Sequence, residues 1–231
     1  MIGKPKEDFD IQSLMSDSTV TQIRVEESAV EKLLRLNYNL ETRTIWIDGE
    51  IDTEFGTWFR KVLWTLEHAN HDPVTVWLNT PGGDVPSMFA FYDAVVASPC
   101  EITIIGCGEV ISAGVLMLVC GDVRKVTENC VLMSHQGADF ESGGLNYKEM
   151  LERKKYWDWT MTQWNYLMAR HTPYDAAYWK AITSKKAEFW LLGGRAIKDH
   201  GLADAIYEPA GALWDRFPED EDAPIQPVED E

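Results

Sequence analysis

At 231 residues and 45% apolar, the chain carries enough hydrophobic material for one sizeable core. Its formal net charge of −17 excludes a surface built to hold nucleic acid or anionic lipid, which needs clustered Lys and Arg. No run approaches the roughly 18–20 consecutive apolar residues that cross a bilayer, and Met1-Ile2-Gly3-Lys4-Pro5-Lys6-Glu7-Asp8 lacks the apolar core of a signal peptide, so a soluble, cytoplasmic protein is expected.

Residues 1–38 are polar and mixed and read as a partly flexible arm, with a short helix expected over 28–36. One folded domain is expected over 39–208. The run Arg43-Thr44-Ile45-Trp46-Ile47-Asp48-Gly49 reads as a strand ending at a turn. Over 54–69, Phe55, Trp58, Phe59, Val62, Leu63 and Leu66 recur at i, i+3, i+4 and i+7, which predicts an amphipathic helix. Asp72-Pro73 breaks it, and Val74-Thr75-Val76-Trp77-Leu78 is a short apolar strand. After Asn79-Thr80-Pro81-Gly82-Gly83 comes a second helix, with Asp84 as its N-cap and Pro86 in its first turn.

Ile102-Thr103-Ile104-Ile105 is the next strand, followed by a Gly-rich turn and a short apolar helix over 112–120. Val131-Leu132-Met133 is a fourth strand candidate. The Gly-rich stretch 137–146 leads into a long helix from Tyr147 to about residue 170, whose apolar positions surround more than one face and predict burial against two neighbours or a second subunit. A last helix is expected around 195–199. Repeated βα units of this kind imply a mostly parallel sheet with helices on its faces. The segment 209–231 reads as a disordered acidic tail: from Asp215 on it holds eight acids against Arg216 alone, with three prolines. Cys100, Cys107, Cys120 and Cys130 lack metal-ligand spacing and read as reduced, small core residues, so no metal site is expected.

Two residues stand beside these strand runs with chemistry to offer. A serine hydroxyl needs a base that accepts its proton near neutral pH, and histidine is the natural one. Ser112 lies at the start of a helix, where the positive end of the helix dipole favours developing negative charge, and His135 follows directly from a strand. Upstream, the backbone N–H groups of the Gly82-Gly83 turn, with that of Ala113, could hold an oxyanion. Each feature also has a bland reading: a capping serine, a structural histidine, a Pro-Gly-Gly turn. Their joint occurrence in one chain favours the site.

Together these segments resemble the proteolytic subunit of the Clp protease (ClpP) family. Asn79-Thr80-Pro81-Gly82-Gly83 is similar to that family's Asn-Ser-Pro-Gly-Gly, and Gly108-Glu109-Val110-Ile111-Ser112-Ala113-Gly114 to its Gly-x-x-x-Ser-x-Gly turn. Met133-Ser134-His135-Gln136 is similar to its Met-Ile-His-Gln, and Gly201-Leu202-Ala203-Asp204-Ala205-Ile206 to its Gly-Leu-Val-Asp-x-Ile. The resemblance covers about 39–208 and marks that span as the peptidase domain.

What the resemblance implies is an α/β protein, a ClpP/crotonase-like spiral of βα units with a protruding long handle helix. It implies a homo-oligomer of heptameric rings stacked in pairs around a chamber, unfolded polypeptides as substrates, and an AAA+ unfoldase as feeder. Ser112 would be the nucleophile, His135 the general base and then acid, Gly83 and Ala113 the oxyanion donors, and Gly82, Gln136 and Gly137 substrate-binding residues. For the third catalytic member the matching stretch offers Glu188, where the family has aspartate; a glutamate can orient an imidazole through a shifted backbone, and its bland reading is a surface carboxylate. Glu109, Val110 and Ile111 stand where the family has small uncharged residues, and Gly137 where it commonly has proline. No Gly-x-x-x-x-Gly-Lys-Ser/Thr run occurs, so no cofactor is expected on this chain and ATP would enter only through a partner ATPase.

Three other readings stand beside the ATP-dependent protease: a stand-alone viral capsid-maturation protease of the same type, a catalytically idle scaffold subunit of a mixed ring, and a crotonase-type acyl-CoA enzyme. The last calls for a catalytic carboxylate rather than a Ser-His pair.

Overall fold

The computed structural model describes residues 37–137, 146–185 and 188–208. The helix expected over 28–36 and the acidic tail lie outside the described residues. A short strand β1 (Tyr38–Asn39) pairs antiparallel with β2 (Thr44–Asp48). Helix α1 (Phe55–Ala69), strand β3 (Val74–Thr80) and helix α2 (Val85–Ala97) come next. The expected caps are present, since the Asp84 side chain accepts from the Ser87 N–H at 2.9 Å and Pro86 sits in the first turn of α2. Phe59 of α1 and Phe91 of α2 are fully buried with ring centroids 4.2 Å apart, which packs the two helices on one another over the sheet.

Strand β4 (Ile102–Ile111) is more than twice the length that Ile102-Thr103-Ile104-Ile105 announces. The residues expected to form a Gly-rich turn before Ser112 are its second half. Glycine within a strand commonly marks a bulge: the β3–β4 register shifts between Leu78 paired with Gly106 and Thr80 paired with Val110. The Asn79 side chain fills that irregularity, accepting the Glu109 N–H at 3.1 Å and donating to Asp48 at 2.7 Å. Beyond β4 come helix α3 (Ala113–Val119), buried on every side and accordingly without a charged residue, and strands β5 (Val123–Val126) and β6 (Val131–Ser134).

The sheet branches at β4. Its first half pairs with β5 and its second half with β6, both parallel. With β3 on the other edge, β5 and β6 lie end to end along one edge of β4, broken by the turn 127–130. Helix α4 (Tyr147–His171) starts at a capping box of Asn146 and Glu149. It is succeeded by helix α5 (Ala176–Lys185), strand β7 (Phe189–Leu192) antiparallel to β6, helix α6 (Gly193–Lys198) and strand β8 (Ala205–Ile206) parallel to β5. The mostly parallel sheet is as expected; β1, β5, α5, β7 and β8 are elements the sequence does not announce. Arg124 of β5 ties the branches together: its guanidinium donates to the carbonyls of His171 and Gly201 and pairs with Asp204.

Among the described residues α4 is buried only in its second half, at Thr160, Trp164, Asn165 and Met168. Tyr147, Met150, Leu151, Tyr156 and Trp159 stay exposed, so its all-round apolar character is not accounted for by packing among the described residues. The four cysteines are free; Cys100, Cys120 and Cys130 are core residues and Cys107 is half-buried. Burial pushes the Cys130 thiol up to about 12, and raises that of Cys120 as well.

Candidate active site

Strands β4 and β6 end side by side, and the first residue beyond each carboxyl end carries a reactive group. Ile111 pairs with Met133, and the Ser112 N–H donates to the Met133 carbonyl at 2.7 Å. That bond fixes Ser112 against β6, which ends at Ser134 and hands on to His135. The outcome is a contact of 2.7 Å between Ser112 Oγ and His135 Nε2. In the tautomer with its proton on Nδ1, the imidazole accepts from the hydroxyl. Crevices outside the carboxyl ends of parallel strands are where α/β folds place their ligands.

Ser112 has φ 56° and ψ −116°, a left-handed conformation that a non-glycine residue adopts only when its surroundings impose it. The bond to Met133 on one side and the buried α3 on the other impose it here. Although Ser112 occupies the N-cap position of α3, its side chain caps nothing. Its hydroxyl turns to His135 instead, and the bland reading of a capping serine is excluded.

The Pro81-Gly82-Gly83 turn lies against this junction. Gly82 has φ 91° and Gly83 φ 144°, and a Cβ on Gly83 would fall 2.1 Å from the Ile51 carbonyl oxygen, so no other residue fits. The neighbours are pinned: Ile51 N–H donates to the Gly82 carbonyl at 2.8 Å, and Asp84 N–H donates to the Ile51 carbonyl at 2.6 Å. Between those bonds the Gly83 N–H takes no partner among the described residues. Buried Thr80 braces the turn, donating to the Gly49 carbonyl at 2.7 Å and accepting the Gly82 N–H at 3.0 Å. An ideal Cβ on Gly82 would lie 3.0 Å from the Ala113 nitrogen. The Ala113 N–H, first in its helix, has no intrahelical acceptor. The Gly82 turn thus lies against Ser112 and Ala113, and the N–H groups of Gly83 and Ala113 are left unpaired among the described residues.

Glu188 precedes β7. The antiparallel register matches Ser134 with Phe189, and one step on it sets His135 opposite Glu188, a spacing at which cross-strand side chains interact. The Glu188 carboxylate is exposed and accepts from Trp190 Nε1 at 2.9 Å; its hydrogen-bond partner here is the indole, and it reaches the imidazole through its charge. Burial lowers the His135 pKa below the ordinary imidazole value and the Glu188 charge opposes that shift. The ring is thus biased towards the neutral form that accepts a proton. Gln136 and Gly137 stand at the rim; the Gln136 amide donates to Ser184 Oγ at 3.1 Å.

A small pocket opens beside Ser112 and His135, walled by Val85 and Met88 of α2 and by Trp157, Thr160, Met161 and Trp164 of α4. The sequence reading singles out none of these as site residues, taking the aromatic richness of α4 as a contact surface. The signal for them is the spacing 157, 160, 161 and 164, one face of a helix. A hydroxyl held on a half-buried imidazole, N–H donors next to it and a pocket alongside are together the parts of an acyl-transfer site.

Comparisons with known proteins agree in kind. A family model described as Clp protease matches residues 26–210. The ATP-dependent Clp protease proteolytic subunit 2 of Treponema pallidum is 28% identical over 177 residues, covering 75% of this chain and 86% of that protein. The subunit 2 of Pseudomonas aeruginosa is 30% identical over 181 residues, covering 74% and 84%. Among solved structures, a mutant ClpP1 from Listeria monocytogenes superposes with a TM-score of 0.66 at 26% identity, covering 74% of this chain and 94% of that one.

Proposed function

The chain belongs to the Clp protease family, with its ClpP/crotonase-like fold, and from that premise we propose that it is a serine endopeptidase in which Ser112, His135 and Glu188 form the catalytic triad. The single observation that carries the reading is the 2.7 Å contact between Ser112 Oγ and His135 Nε2. His135 takes the hydroxyl proton as Ser112 Oγ bonds to the scissile carbonyl carbon. The oxyanion that forms is held by the N–H groups of Gly83 and Ala113, each such donor worth about 100- to 1,000-fold in rate. Collapse breaks the C–N bond, His135 gives its proton to the departing amine, and a water activated by the same ring hydrolyses the acyl ester. Glu188 orients the imidazole and stabilises its charged form. Gly82, Gln136 and Gly137 border the extended substrate.

The assembly is part of the proposal. The exposed apolar residues in the first half of α4 support docking on further copies of this chain, in a ring that encloses the sites and works in the cytoplasm. An AAA+ partner would supply unfolded chains and consume the ATP, for which this chain has no phosphate-binding run. The domain over 39–208 does the chemistry, with the N-terminal arm and the acidic tail peripheral to it.

Treatment of the assembled protein with a fluorophosphonate probe tests the reading. Intact mass should show one adduct per chain, abolished in Ser112→Ala. An assembled wild-type protein that takes no label would instead be an idle scaffold subunit.

A further inference from the structure

Glu188 enters β7 with two directions open to its side chain. It can reach across to His135, which the register sets opposite it, or along its own strand to Trp190, two residues on. Side chains two apart on a strand share a face, so Trp190 lies beside it. Phe189 between them turns to the other face and packs edge-on against His200, ring centroids 4.9 Å apart. The carboxylate takes the second direction: Trp190 Nε1 donates to Glu188 Oε2 at 2.9 Å. Both residues are exposed, so neither needs the other to fill a buried hydrogen-bonding vacancy, and the fold does not demand this bond.

The imidazole is left with a donor unserved. His135 Nε2 accepts from the Ser112 hydroxyl at 2.7 Å, which puts the ring's own proton on Nδ1. Nothing among the described residues accepts that proton, and Glu188 acts on the ring through its charge alone. No other charge stands in for it, since among the described residues the pocket beside His135 has no Asp, Glu, Lys or Arg in its lining. An acceptor that belongs to the imidazole is thus engaged by a donor that has no part in the chemistry.

Resting on the peptidase reading, we propose that Trp190 is a positioning residue that holds the catalytic triad at rest: its indole keeps Glu188 off His135, and the triad completes when the carboxylate leaves the indole and accepts the Nδ1–H across the strands. The imidazole becomes positively charged as Ser112 gives up its proton. The bond to Glu188 then has charge on both partners, against charge on one partner only at the indole. The reaction itself therefore favours the transfer of the carboxylate, and the indole sets how much of the resting protein has made it.

Trp190→Phe keeps an aromatic ring opposite Met133 and removes the indole N–H. The second-order rate of fluorophosphonate labelling at Ser112 would be followed against pH for four assembled proteins: wild type, Trp190→Phe, Glu188→Gln and the double variant. Trp190→Phe should label at least about threefold faster than wild type on the plateau. Its acid limb should lie at higher pH, because the freed carboxylate comes nearer His135 and favours the protonated ring. In the Glu188→Gln background the same substitution should change neither quantity. An unchanged profile in Trp190→Phe, or a slower one with its limb at lower pH, would overturn the proposal and leave the peptidase intact. An effect of equal size in the Glu188→Gln background would also overturn it, by showing that Trp190 acts on the fold and not through the carboxylate. Absence of labelling in all four proteins would overturn the peptidase reading, and this proposal with it.

Discussion

The imidazole of His135 is pulled two ways, by burial that favours its neutral form and by the Glu188 charge that favours its protonated one. General-base catalysis needs the neutral ring, so kcat/KM rises with pH through the His135 pKa and then levels. Because burial dominates, that acid limb should lie below about pH 6.5, the ordinary imidazole value. Removing the carboxylate charge in Glu188→Gln leaves burial unopposed. The limb should then move further to the acid side, while on the proposed triad the plateau falls by about 100-fold as the ring loses the charge that stabilises its protonated form. A pH–rate profile of the two proteins separates these effects, and a limb that stays in place in the variant would mean that Glu188 does not act on His135.

Among the elements, α4 divides into a half that this chain buries and a half that it leaves bare. Tyr147 is 78% exposed, and Met150 and Trp159 are each 56% exposed. Such a stripe on a helix with a complete N-terminal capping box implies a partner surface. The double substitution Met150→Glu with Leu151→Glu should shift light-scattering mass to smaller species without loss of far-ultraviolet helix signal. If the oligomer survives that change, the stripe is not its interface. The same helix shows what sequence patterning reveals and what it hides. Its length and aromatic content are plain in the sequence, as is the 3.6-residue period of α1. Strand β5 is hidden because Arg124 and Lys125 interrupt its apolar run, and the arginine is there to reach carbonyls from other elements. The second half of β4 is hidden because Gly106 and Gly108 read as a turn, although with Asn79 beside them they make a strand irregularity. His135 is legible because it comes directly after an apolar strand, and Ser112 because it opens an apolar helix behind a glycine-rich run; the hydrogen-bonding deficit of Thr160, whose buried hydroxyl has no partner among the described residues, is not, because only packing creates it.

Across the whole molecule, His135, His171 and His200 all have pKa values lowered chiefly by burial. The unfolded chain therefore binds more protons than the native one in mildly acidic solution, and stability falls as pH decreases. The loss begins near pH 6.5, where exposed imidazole titrates, and is complete below the lowered native values. Urea midpoints should accordingly be lower at pH 5.5 than at pH 8. Equal midpoints would show that the three rings gain no protons on unfolding.

The backbone at Ser112, with φ 56°, is held in a conformation that costs about 1–3 kcal/mol for a residue carrying a Cβ. Glycine alone would occupy that position without the penalty. Ser112→Gly should therefore melt at a higher temperature than both the wild type and Ser112→Ala, while losing all covalent chemistry; a glycine variant no more stable than the alanine one would show that the junction is not strained. Heat tolerance and catalysis are thus set against each other at one codon. A lineage selected only for survival at high temperature would drift towards glycine there, and keeping the serine requires continuing demand for the reaction.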